Sequence, residues 1–368
     1  MRKKISFAGP WITQKEIDSV TDAVKNGWYE NYTRHTVMLE KEVCEYLGVK
    51  YALATHCCTQ ALHLACCALD LQKGDEVIVT DHSWVATGYS ITYTGAGCVF
   101  VDIDPQTLCI DPKAIEKAIT SKTKAIMIVH NFGIPADMDE IMDIARNHNL
   151  KVIEDAAPSF GSVYKGKKTG TFGDVSCFSF QGAKITVSGE GGVLVTNNEE
   201  IFNKAKLFAN MGRTDRVMPF WSDQIGFQYT ISNLSASLAL VQLQRIEELK
   251  GKKRQIYQWY SERLEEHSKI TMVKEKENTS ANYCYPALFL SNGTKTGRDK
   301  ILEIFRQNNV HARPGFPRMS QFPVYINDCR FENPVAESFE KKGLVLPSAA
   351  DLLEEDAEFV CNLLKELL

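Results

Sequence analysis

The sequence lacks several features that would assign it to large classes of proteins. No apolar run approaches the length needed to cross a membrane. The net charge is only -4, so there is no basic excess that would favour nucleic acid or an anionic membrane as a partner. The first residues, "MRKKISFAGPWITQKE", are basic, but Pro10 and the polar residues after Thr13 leave too short an apolar core for a signal peptide. These absences predict a cytoplasmic globular protein with neither a membrane nor a nucleic acid as partner.

The eleven cysteines lack the spacing of the common cysteine sites. None belongs to a C-x-x-C pair, and the odd number argues against a complete disulfide framework. His63 is near Cys58, Cys66 and Cys67 in the sequence, which leaves zinc binding open as one interpretation. Vicinal cysteines on an apolar helix point in different directions, so we favour small buried hydrophobic side chains in a reducing compartment. We therefore predict no metal site.

Short apolar runs alternate with helical patterns through most of the chain. Runs such as "EVIVT", "GCVFVDI", "KAIMIVH" and "KVIED" are too apolar for half-exposed strands. They predict an α/β fold with a mostly parallel central sheet covered by helices on both faces. "VSCFSF" and "GGVLVT" are two further strands, with no room for a helix between them. The sequence contains no internal repeat and no low-complexity segment.

The pattern changes after about Asn233. "SASLALVQLQRIEELKGKKRQIYQWYSERLEEH" has the periodicity of one long helix that leads into a second domain. There, "ITMV" and "NYCYPALFL" predict strands, while "RDKILEIFRQNN" and "EEDAEFVCNLLKELL" predict helices. We predict a large domain of residues 1–245, which includes the N-terminal helix, and a smaller α+β domain of residues 246–368.

Lys184 is the first candidate for chemistry, because it follows a predicted buried strand. Ligands of open α/β sheets bind at the carboxyl ends of the strands, and Asp155, Thr59 and Trp84 also follow predicted strands. A desolvated lysine loses its proton more easily, which makes it a nucleophile toward aldehydes and a proton shuttle. The alternative is a lysine that extends to solvent or pairs with Glu190.

The other candidates also have structural alternatives. Asp155 is suited to keeping a pyridinium nitrogen protonated, or it caps the turn "AAPSFG". Thr59 begins a helix whose free N–H groups suit a phosphate, with Ser179 adding a hydroxyl, or it is a simple N-cap. Trp84 offers a flat face to a planar ring, or it packs in the core. The glycines of "SGEGG" are typical of a turn between strands and match no nucleotide-binding loop.

Taken together, these segments resemble the DegT family of fold-type-I pyridoxal-phosphate enzymes, the sugar aminotransferases. The resemblance covers nearly the whole chain and is carried by "GDEVIV", "TYTGAGCVFVDIDPQTLCIDP", "PADMDEIMDIA", "VIEDAAPSFGSVYKGKKTGTFGD", "FSFQGAKITVSGEGGVLVT" and "YTISNLSASLALVQLQRI". It implies the fold-type-I architecture, pyridoxal 5'-phosphate as cofactor and a homodimer with its active sites at the subunit interface.

The resemblance also implies roles for individual residues. Lys184 would form the Schiff base with the cofactor and move the proton during transamination, and Asp155 would pair with the pyridine nitrogen. Trp84 would stack on the ring. The remaining cofactor contacts that it implies are the backbone N–H groups of Cys58 and Thr59 and the side chains of Ser179 and Asn233.

The sequence departs from the family pattern at four places, three at the expected cofactor site and one at the expected acceptor site. The phosphate loop reads "THCCT", which is bulkier than usual, and Pro158 and Thr230 replace residues that contact the cofactor in relatives. Perosamine-type members carry "RPxFYPLH" where this chain has "RPGFPRMS", so Ser320 stands in place of the histidine. The residues that we expect to contact the acceptor are Trp28, Tyr29, Arg313 and Arg318, the two arginines suggesting an anionic group or surface positions.

The resemblance predicts an aminotransferase that takes nitrogen from L-glutamate and gives it to a nucleotide-linked keto-sugar for surface-glycan synthesis. One alternative keeps the chemistry but uses a smaller acceptor, such as dihydroxyacetone phosphate or a keto-cyclitol. Another is a regulatory protein that binds the cofactor without turnover. The presence of both Lys184 and Asp155 favours an enzyme.

Overall fold

The computed structural model describes residues 3–214, 218–326 and 330–368, and Cys329 lies outside these ranges. The α-helices, numbered α1 to α12 in chain order, are Gln14–Asn26, Arg34–Leu47, Cys58–Ala68, Ala86–Thr92, Pro112–Ala118, Met138–Asn147, Glu199–Ala209, Asn233–Gln244, Ile246–Leu264, Arg298–Gln307, Pro334–Lys342 and Glu354–Leu367. The strands, numbered β1 to β14, are Tyr51–Thr55, Glu76–Thr80, Gly97–Val101, Thr123–Val129, Lys151–Asp155, Val163–Tyr164, Lys167–Lys168, Val175–Ser179, Gly192–Thr196, Ile270–Met272, Thr279–Ser280, Ala287–Leu290, Arg313–Pro314 and Gly343–Val345. Short 3-10 turns occur at Tyr29–Asn31, Asn131–Gly133 and Met319–Gln321.

The central sheet has seven strands in the order β1-β9-β8-β5-β4-β2-β3. The pairs from β8 to β3 are all parallel, whereas β9 is antiparallel to both of its neighbours. The predicted mostly parallel sheet is therefore confirmed. The reversal fits the connection between β8 and β9, residues 180–191, because a parallel pair needs a crossover that usually runs through a helix and this connection contains none.

Helices cover both faces of this sheet. In β2, Val77 and Val79 pack in one cluster with Leu62 of α3, whereas Ile78 packs in another with Ile115 of α5. Successive strand residues point to opposite faces, so both faces must be apolar when both are covered. Full burial of each such side chain stabilises the fold by about 1.5–3 kcal/mol.

The second sheet is antiparallel and has the order β10-β12-β14-β13. Its core contains Ile256 and Tyr260 of α9 together with Leu364 of α12. The α+β character predicted for the C-terminal residues is confirmed, while the boundary between residues 245 and 246 stays a prediction.

The prediction of one long helix is wrong, because Arg245 separates α8 from α9 about a third of the way along the predicted segment. The Arg245 guanidinium donates to Glu16 Oε1 at 2.6 Å and to Glu248 Oε2 at 2.9 Å. Burial alone would raise the pKa of Glu16, but hydrogen bonds from Thr13 and Arg245 outweigh it and lower that pKa to about 2. Helical periodicity carries no information about an ion pair with a residue so distant in the chain.

The predicted strand "NYCYPALFL" is also shorter than expected, since only Ala287–Leu290 form β12. Tyr283 has a φ of +48°, in the left-handed region that no strand tolerates. Pro286 has no N–H group with which to extend the ladder. The preceding residues instead form an irregular segment that lies against the active-site rim.

Candidate active site

Two neighbouring strands end in polar side chains at one edge of the central sheet. β5 ends at Asp155 and β8 ends at Ser179. Lys184 follows in the connection to β9, where its backbone N–H donates to the Gln181 carbonyl at 2.8 Å. The structure thus brings together three of the residues selected from the sequence, in the place where open α/β sheets bind ligands.

Asp155 is a buried carboxylate with few hydrogen-bond donors. Its Oδ2 accepts from the Thr87 hydroxyl at 2.7 Å, and its Oδ1 accepts from the Ala157 N–H at 3.2 Å. Burial raises the pKa of Asp155, and these hydrogen bonds and the nearby charge of Lys184 offset the increase only in part. A carboxylate in this state gains from one more N–H or cationic partner.

Lys184 is half-buried beside an aromatic ring. Its Nζ is 5.9 Å from the centre of the Tyr285 ring, and the Tyr285 hydroxyl donates to the Ala183 carbonyl at 2.6 Å. Within residues 3–214, 218–326 and 330–368 the structure records no ion pair for Lys184, with Glu190 or with any other acid. Its amino group is therefore available for chemistry, and Tyr285 fixes the backbone just before it.

The start of α3 provides unpaired N–H groups. The first i→i−4 bond of this helix runs from the Ala61 N–H to the Cys57 carbonyl, so the N–H groups of Cys58, Thr59 and Gln60 precede it. Burial raises the pKa of the Cys58 thiol well above its usual range, which keeps the sulfur uncharged.

Gly192 of β9 makes this helix start accessible to its neighbours. It pairs with Thr55 of β1 on one side and with Ser179 of β8 on the other, which places the Ser179 hydroxyl beside the same turn. A Cβ atom at Gly192 would lie 2.5 Å from the Cys58 nitrogen, so any side chain here would crowd the N–H groups. Gly192 is therefore more than the turn residue that the sequence indicated.

Trp84 presents an open indole face at the rim. Its side chain is 62% exposed, and its ring centroid is 6.2 Å from that of Phe316. Its carbonyl accepts the Thr87 N–H at 3.1 Å. Since tryptophan seldom remains so exposed when its role is core packing, this position is suited to stacking on a planar ligand.

Asn233 contacts the N-terminal segment that contains Trp28 and Tyr29. Its Oδ1 accepts from the His35 N–H at 2.8 Å, and its Nδ2 donates to the Gly27 carbonyl at 3.3 Å. Trp28 donates its indole N–H to the Val24 carbonyl at 2.6 Å, and the Tyr29 side chain is 88% exposed. Asn233 thus holds both ends of the segment that carries Trp28 and Tyr29.

The two arginines selected as acceptor contacts have different surroundings. The Arg313 guanidinium carbon is 4.2 Å from the centre of the Phe7 ring, and the described residues offer it no carboxylate partner. Arg318 donates to Glu340 at 2.9 Å, and only 16% of its side chain is exposed. Arg313 is therefore free to meet an anion, while the Arg318 charge is already paired.

Ser320 occupies the position at which perosamine-type members carry histidine. Its hydroxyl donates to Asp81 Oδ2 at 2.8 Å and its N–H donates to Oδ1 at 2.8 Å, and Asn333 adds a third bond at 2.8 Å. This buried network fastens the segment around residue 320 to the end of β2.

The other two departures also have structural contacts. The Pro158 carbonyl accepts from Asn282 Nδ2 at 2.9 Å. The Thr230 hydroxyl accepts from Gln228 Nε2 at 3.0 Å, and Thr230 bridges to Thr55 at the end of β1. Pro158 is therefore held through its backbone carbonyl, and Thr230 through both its backbone and its hydroxyl.

His63 lies among aromatic rings. Its Nδ1 is 3.3 Å from the Tyr229 hydroxyl, and its ring contacts Tyr93 and Phe227. Burial lowers the pKa of His63 and raises that of the Cys66 thiol. These features are typical of neutral side chains that pack in the core. The described residues contain no group of three or more histidine, cysteine, aspartate or glutamate side chains placed to hold a metal ion.

Sequence reasoning did not find Thr87, Tyr285 or Gly192. Thr87 lay inside a predicted helix, Tyr285 inside a predicted strand and Gly192 in a predicted turn. Spacing alone gives no signal for the first two, because their contacts with Asp155 and Ala183 join separate segments. A close approach of β9 to α3 would have pointed to Gly192.

These side chains fit pyridoxal phosphate. The start of α3, next to Gly192, offers N–H groups to a phosphate. Among the described residues, Asp155 has no cationic hydrogen-bond partner. The Lys184 amino group likewise has none of the described acids as an ion-pair partner. Trp84 supplies an open aromatic face. No helix among the described residues is long and apolar enough to span a membrane.

Comparison with known proteins agrees with this geometry. The family model for the DegT/DnrJ/EryC1/StrS aminotransferases matches residues 10–365. The chain is 36% identical to the GDP-perosamine synthase of Caulobacter vibrioides over 366 residues, which are 99% of this chain and 98% of that relative. It is 35% identical to the GDP-perosamine synthase of Escherichia coli O157:H7, over 99% of this chain and 98% of that relative.

Solved structures show the same fold. The PMP form of Spr1654 from Streptococcus pneumoniae superposes with a TM-score of 0.93 at 25% identity, over 99% of this chain and 98% of the other. Its PLP form gives a TM-score of 0.92 at 25% identity, over the full length of both chains. The chain belongs to the DegT/DnrJ/EryC1/StrS aminotransferase family, and it is an α/β aminotransferase that depends on pyridoxal phosphate.

Proposed function

We propose that this enzyme transfers an amino group from L-glutamate to the ketone of a nucleotide-linked keto-sugar, in a pathway that makes surface glycans. The full-length similarity to two GDP-perosamine synthases supports a substrate of this kind. The observation that carries the proposal is the position of Arg313, whose guanidinium has no acidic partner among the described residues and is connected to Lys184 through the stacked rings of Phe7 and Tyr285.

In the proposed mechanism each residue acts on the bound cofactor at a separate atom. Pyridoxal phosphate supplies an aldehyde that accepts the amino group and a ring that withdraws electrons. Asp155 would hold a proton on the ring nitrogen, and the Nζ of Lys184 would accept and return the proton that transamination moves. Trp84 would cover one ring face. The α3 N–H groups and Ser179 would bind the phosphate.

Arg313 and Lys184 stand at the two ends of one aromatic stack. The Lys184 Nζ lies over Tyr285, the rings of Tyr285 and Phe7 are stacked at 5.1 Å, and Arg313 lies over Phe7. An acceptor that carries its ketone and its phosphates on one molecule would place the ketone near Lys184 and the phosphates near Arg313, at the two ends of this aromatic stack. Guanidinium groups bind phosphate oxygens through paired hydrogen bonds, which suits a diphosphate.

We also propose that the enzyme works as a homodimer with Trp28 and Tyr29 at a shared active site. Trp28, Tyr29 and Tyr32 are exposed, as are Phe220 and Ile225 in the segment after α7. Large exposed apolar side chains that lie close together in the chain, as within each of these two groups, are candidates for an interaction surface. In this arrangement Asn233 positions the loop that meets the partner's acceptor. Sedimentation should show a dimer at assay concentrations, and an active monomer would overturn this part.

The first experiment tests catalysis separately from the acceptor. L-Glutamate alone should convert the bound cofactor to its pyridoxamine form, whereas the regulatory alternative predicts no change in the spectrum. Lys184→Ala should abolish both this conversion and the borohydride-trappable bond to the protein. Lys204→Ala, which removes a surface lysine paired with Asp70, is the matched control. A trappable bond in Lys184→Ala would show that another lysine is used.

The second experiment identifies the acceptor with the pyridoxamine-loaded enzyme. Nucleotide-linked 4-keto and 3-keto sugars should regenerate pyridoxal phosphate faster than dihydroxyacetone phosphate or a keto-cyclitol. Arg313→Gln should raise KM for the nucleotide sugar with little change in kcat, and Arg318→Gln is its control because that charge is already paired. Faster turnover of a small phosphorylated ketone would contradict the nucleotide-sugar proposal.

A further inference from the structure

A chain of two buried hydroxyl groups ends at Asp155. The Ser83 and Thr87 oxygens are 2.9 Å apart, and Thr87 Oγ1 is 2.7 Å from Asp155 Oδ2. A hydroxyl has one proton to donate. Since an ionised carboxylate only accepts, Thr87 must donate to Asp155, and Ser83 must therefore donate to Thr87. The direction of the chain is fixed from Ser83 to Asp155.

The same segment also holds Trp84. Ser83 and Thr87 are one helical turn apart, and the Thr87 N–H donates to the Trp84 carbonyl at 3.1 Å. Thr87 is 1% exposed and Ser83 is 5% exposed, so water does not compete for their hydroxyls. One five-residue stretch thus connects the side chain that is open for stacking with the acid proposed to face the ring nitrogen.

We infer that Thr87, supported by Ser83, is a positioning residue that holds Asp155 ionised and correctly oriented toward the cofactor ring. Desolvation disfavours charge on a buried carboxylate, and each donated hydrogen bond restores part of that cost. Thr87 provides the shorter of the two hydrogen bonds recorded for Asp155. With Oδ2 held by Thr87, Oδ1 accepts only the longer bond from Ala157 and keeps more of its capacity for a further donor.

This inference rests on the proposed role of Asp155, so its test must separate the two. The variants are Thr87→Val, Thr87→Ser, Ser83→Ala and Asp155→Asn. Each is loaded with pyridoxal phosphate carrying an isotope-labelled ring nitrogen, and nitrogen NMR reports the protonation of that atom against pH. Equilibrium dialysis gives the cofactor dissociation constant, and thermal unfolding of the apoprotein monitors the fold.

In Asp155→Asn, the ring nitrogen of the bound cofactor should be unprotonated at every pH measured. Thr87→Val should lose that proton at lower pH than the wild type and bind the cofactor about ten- to a hundredfold more weakly, the scale of a hydrogen bond to a charged group. Thr87→Ser should restore both values. Ser83→Ala should have a smaller effect, because the Thr87 donor remains.

The outcomes distinguish the two ideas. If Asp155→Asn keeps the ring proton, the proposed role of Asp155 is wrong. If Asp155→Asn loses it while Thr87→Val matches the wild type, the inference about Thr87 is overturned. If Thr87→Val does not fold, Ser83→Ala is compared with Thr87→Ser. A shift of the ring-nitrogen protonation in Ser83→Ala but not in Thr87→Ser would support the inference. Unchanged protonation in both folded variants would indicate a purely structural role and overturn it.

Discussion

Glu154 and Asp155 are consecutive acids at the end of β5, and they face opposite sides of the sheet. Both are buried, at 0% and 4% exposure. Burial raises the pKa of Asp155. Burial alone would raise the pKa of Glu154 too, but hydrogen bonds outweigh it and hold that pKa below its usual value. The same burial therefore gives opposite results for two neighbouring carboxylates.

The number and kind of donors explain the difference. In the part of the chain that the structure describes, Asp155 has one hydroxyl donor and one N–H donor, whereas Glu154 has five donors. The donors to Glu154 are the backbone N–H groups of Gly170, Phe172 and Gly173, the Ser176 hydroxyl and the His130 Nε2.

The His130 ring links Glu154 to a backbone N–H group. Its Nδ1 accepts from the Ala136 N–H at 3.1 Å, which leaves Nε2 to donate to Glu154 at 2.9 Å. Glu154 is therefore satisfied within the protein and organises the loop that precedes β8. Asp155 keeps accepting capacity, as its proposed contact with the cofactor ring requires. The comparison teaches that two buried neighbouring acids can differ in how many donors the fold gives them, and that the acid with few donors is the better candidate for binding a ligand.

The largest expected effect is that of Asp155→Asn on catalysis. Loss of the carboxylate should lower the rate of the glutamate half-reaction by about 10²- to 10³-fold or more, the scale of one charge-stabilising group in other active sites. The apoprotein should unfold at the same temperature or higher, because above its raised pKa the ionised Asp155 costs stability. The Ser83 and Thr87 hydroxyls can rotate to meet the amide. Stopped-flow spectroscopy and thermal unfolding measure the two effects.

Glu154→Gln should have the opposite profile and lower the free energy of unfolding by about 3–5 kcal/mol. Backbone N–H groups cannot rotate, so a glutamine NH₂ would face fixed donors such as those of Phe172 and Gly173. Urea unfolding measures the loss.

The pH dependence of the free energy of unfolding tests whether the charge of Glu154 causes this loss. The folded pKa of Glu154 lies below its ordinary value of 4.5. Its contribution is therefore complete above pH 4.5 and is lost as the pH falls through the folded pKa. The difference between wild type and Glu154→Gln should accordingly narrow in acid. A constant difference down to the acid limit would show that packing, not charge, is what the variant loses.

The smallest expected effect is that of Ser176→Ala, which removes one of the donors to Glu154. Four donors remain, so the free energy of unfolding should fall by only about 1 kcal/mol. The glutamate half-reaction should be unchanged. A loss comparable with that of Glu154→Gln would mean that the donors to Glu154 act as one cooperative unit.

Much of the fold follows from the sequence, because strands buried on both faces leave short continuous apolar runs that can be recognised between the helical patterns. Lys184, Asp155 and Ser179 were selected because they follow such runs, and parallel strands bring their ends to one edge. Arg245 and Tyr283 show where this reasoning stops. One breaks a helix through an ion pair with Glu16 and the other ends a strand through a left-handed φ, and neither leaves a periodic signal.

The family motifs in the sequence determined the chemistry expected here, with a helix start suited to phosphate, an aspartate and a lysine in that order along the chain. The tertiary structure alone decided which of two adjacent acids is satisfied internally, which arginine has no carboxylate partner among the described residues, and that Thr87 donates to Asp155. The physical reason is that charge in a buried site depends on the donors within about 3 Å, and the donors of Glu154 come from segments well separated in the chain.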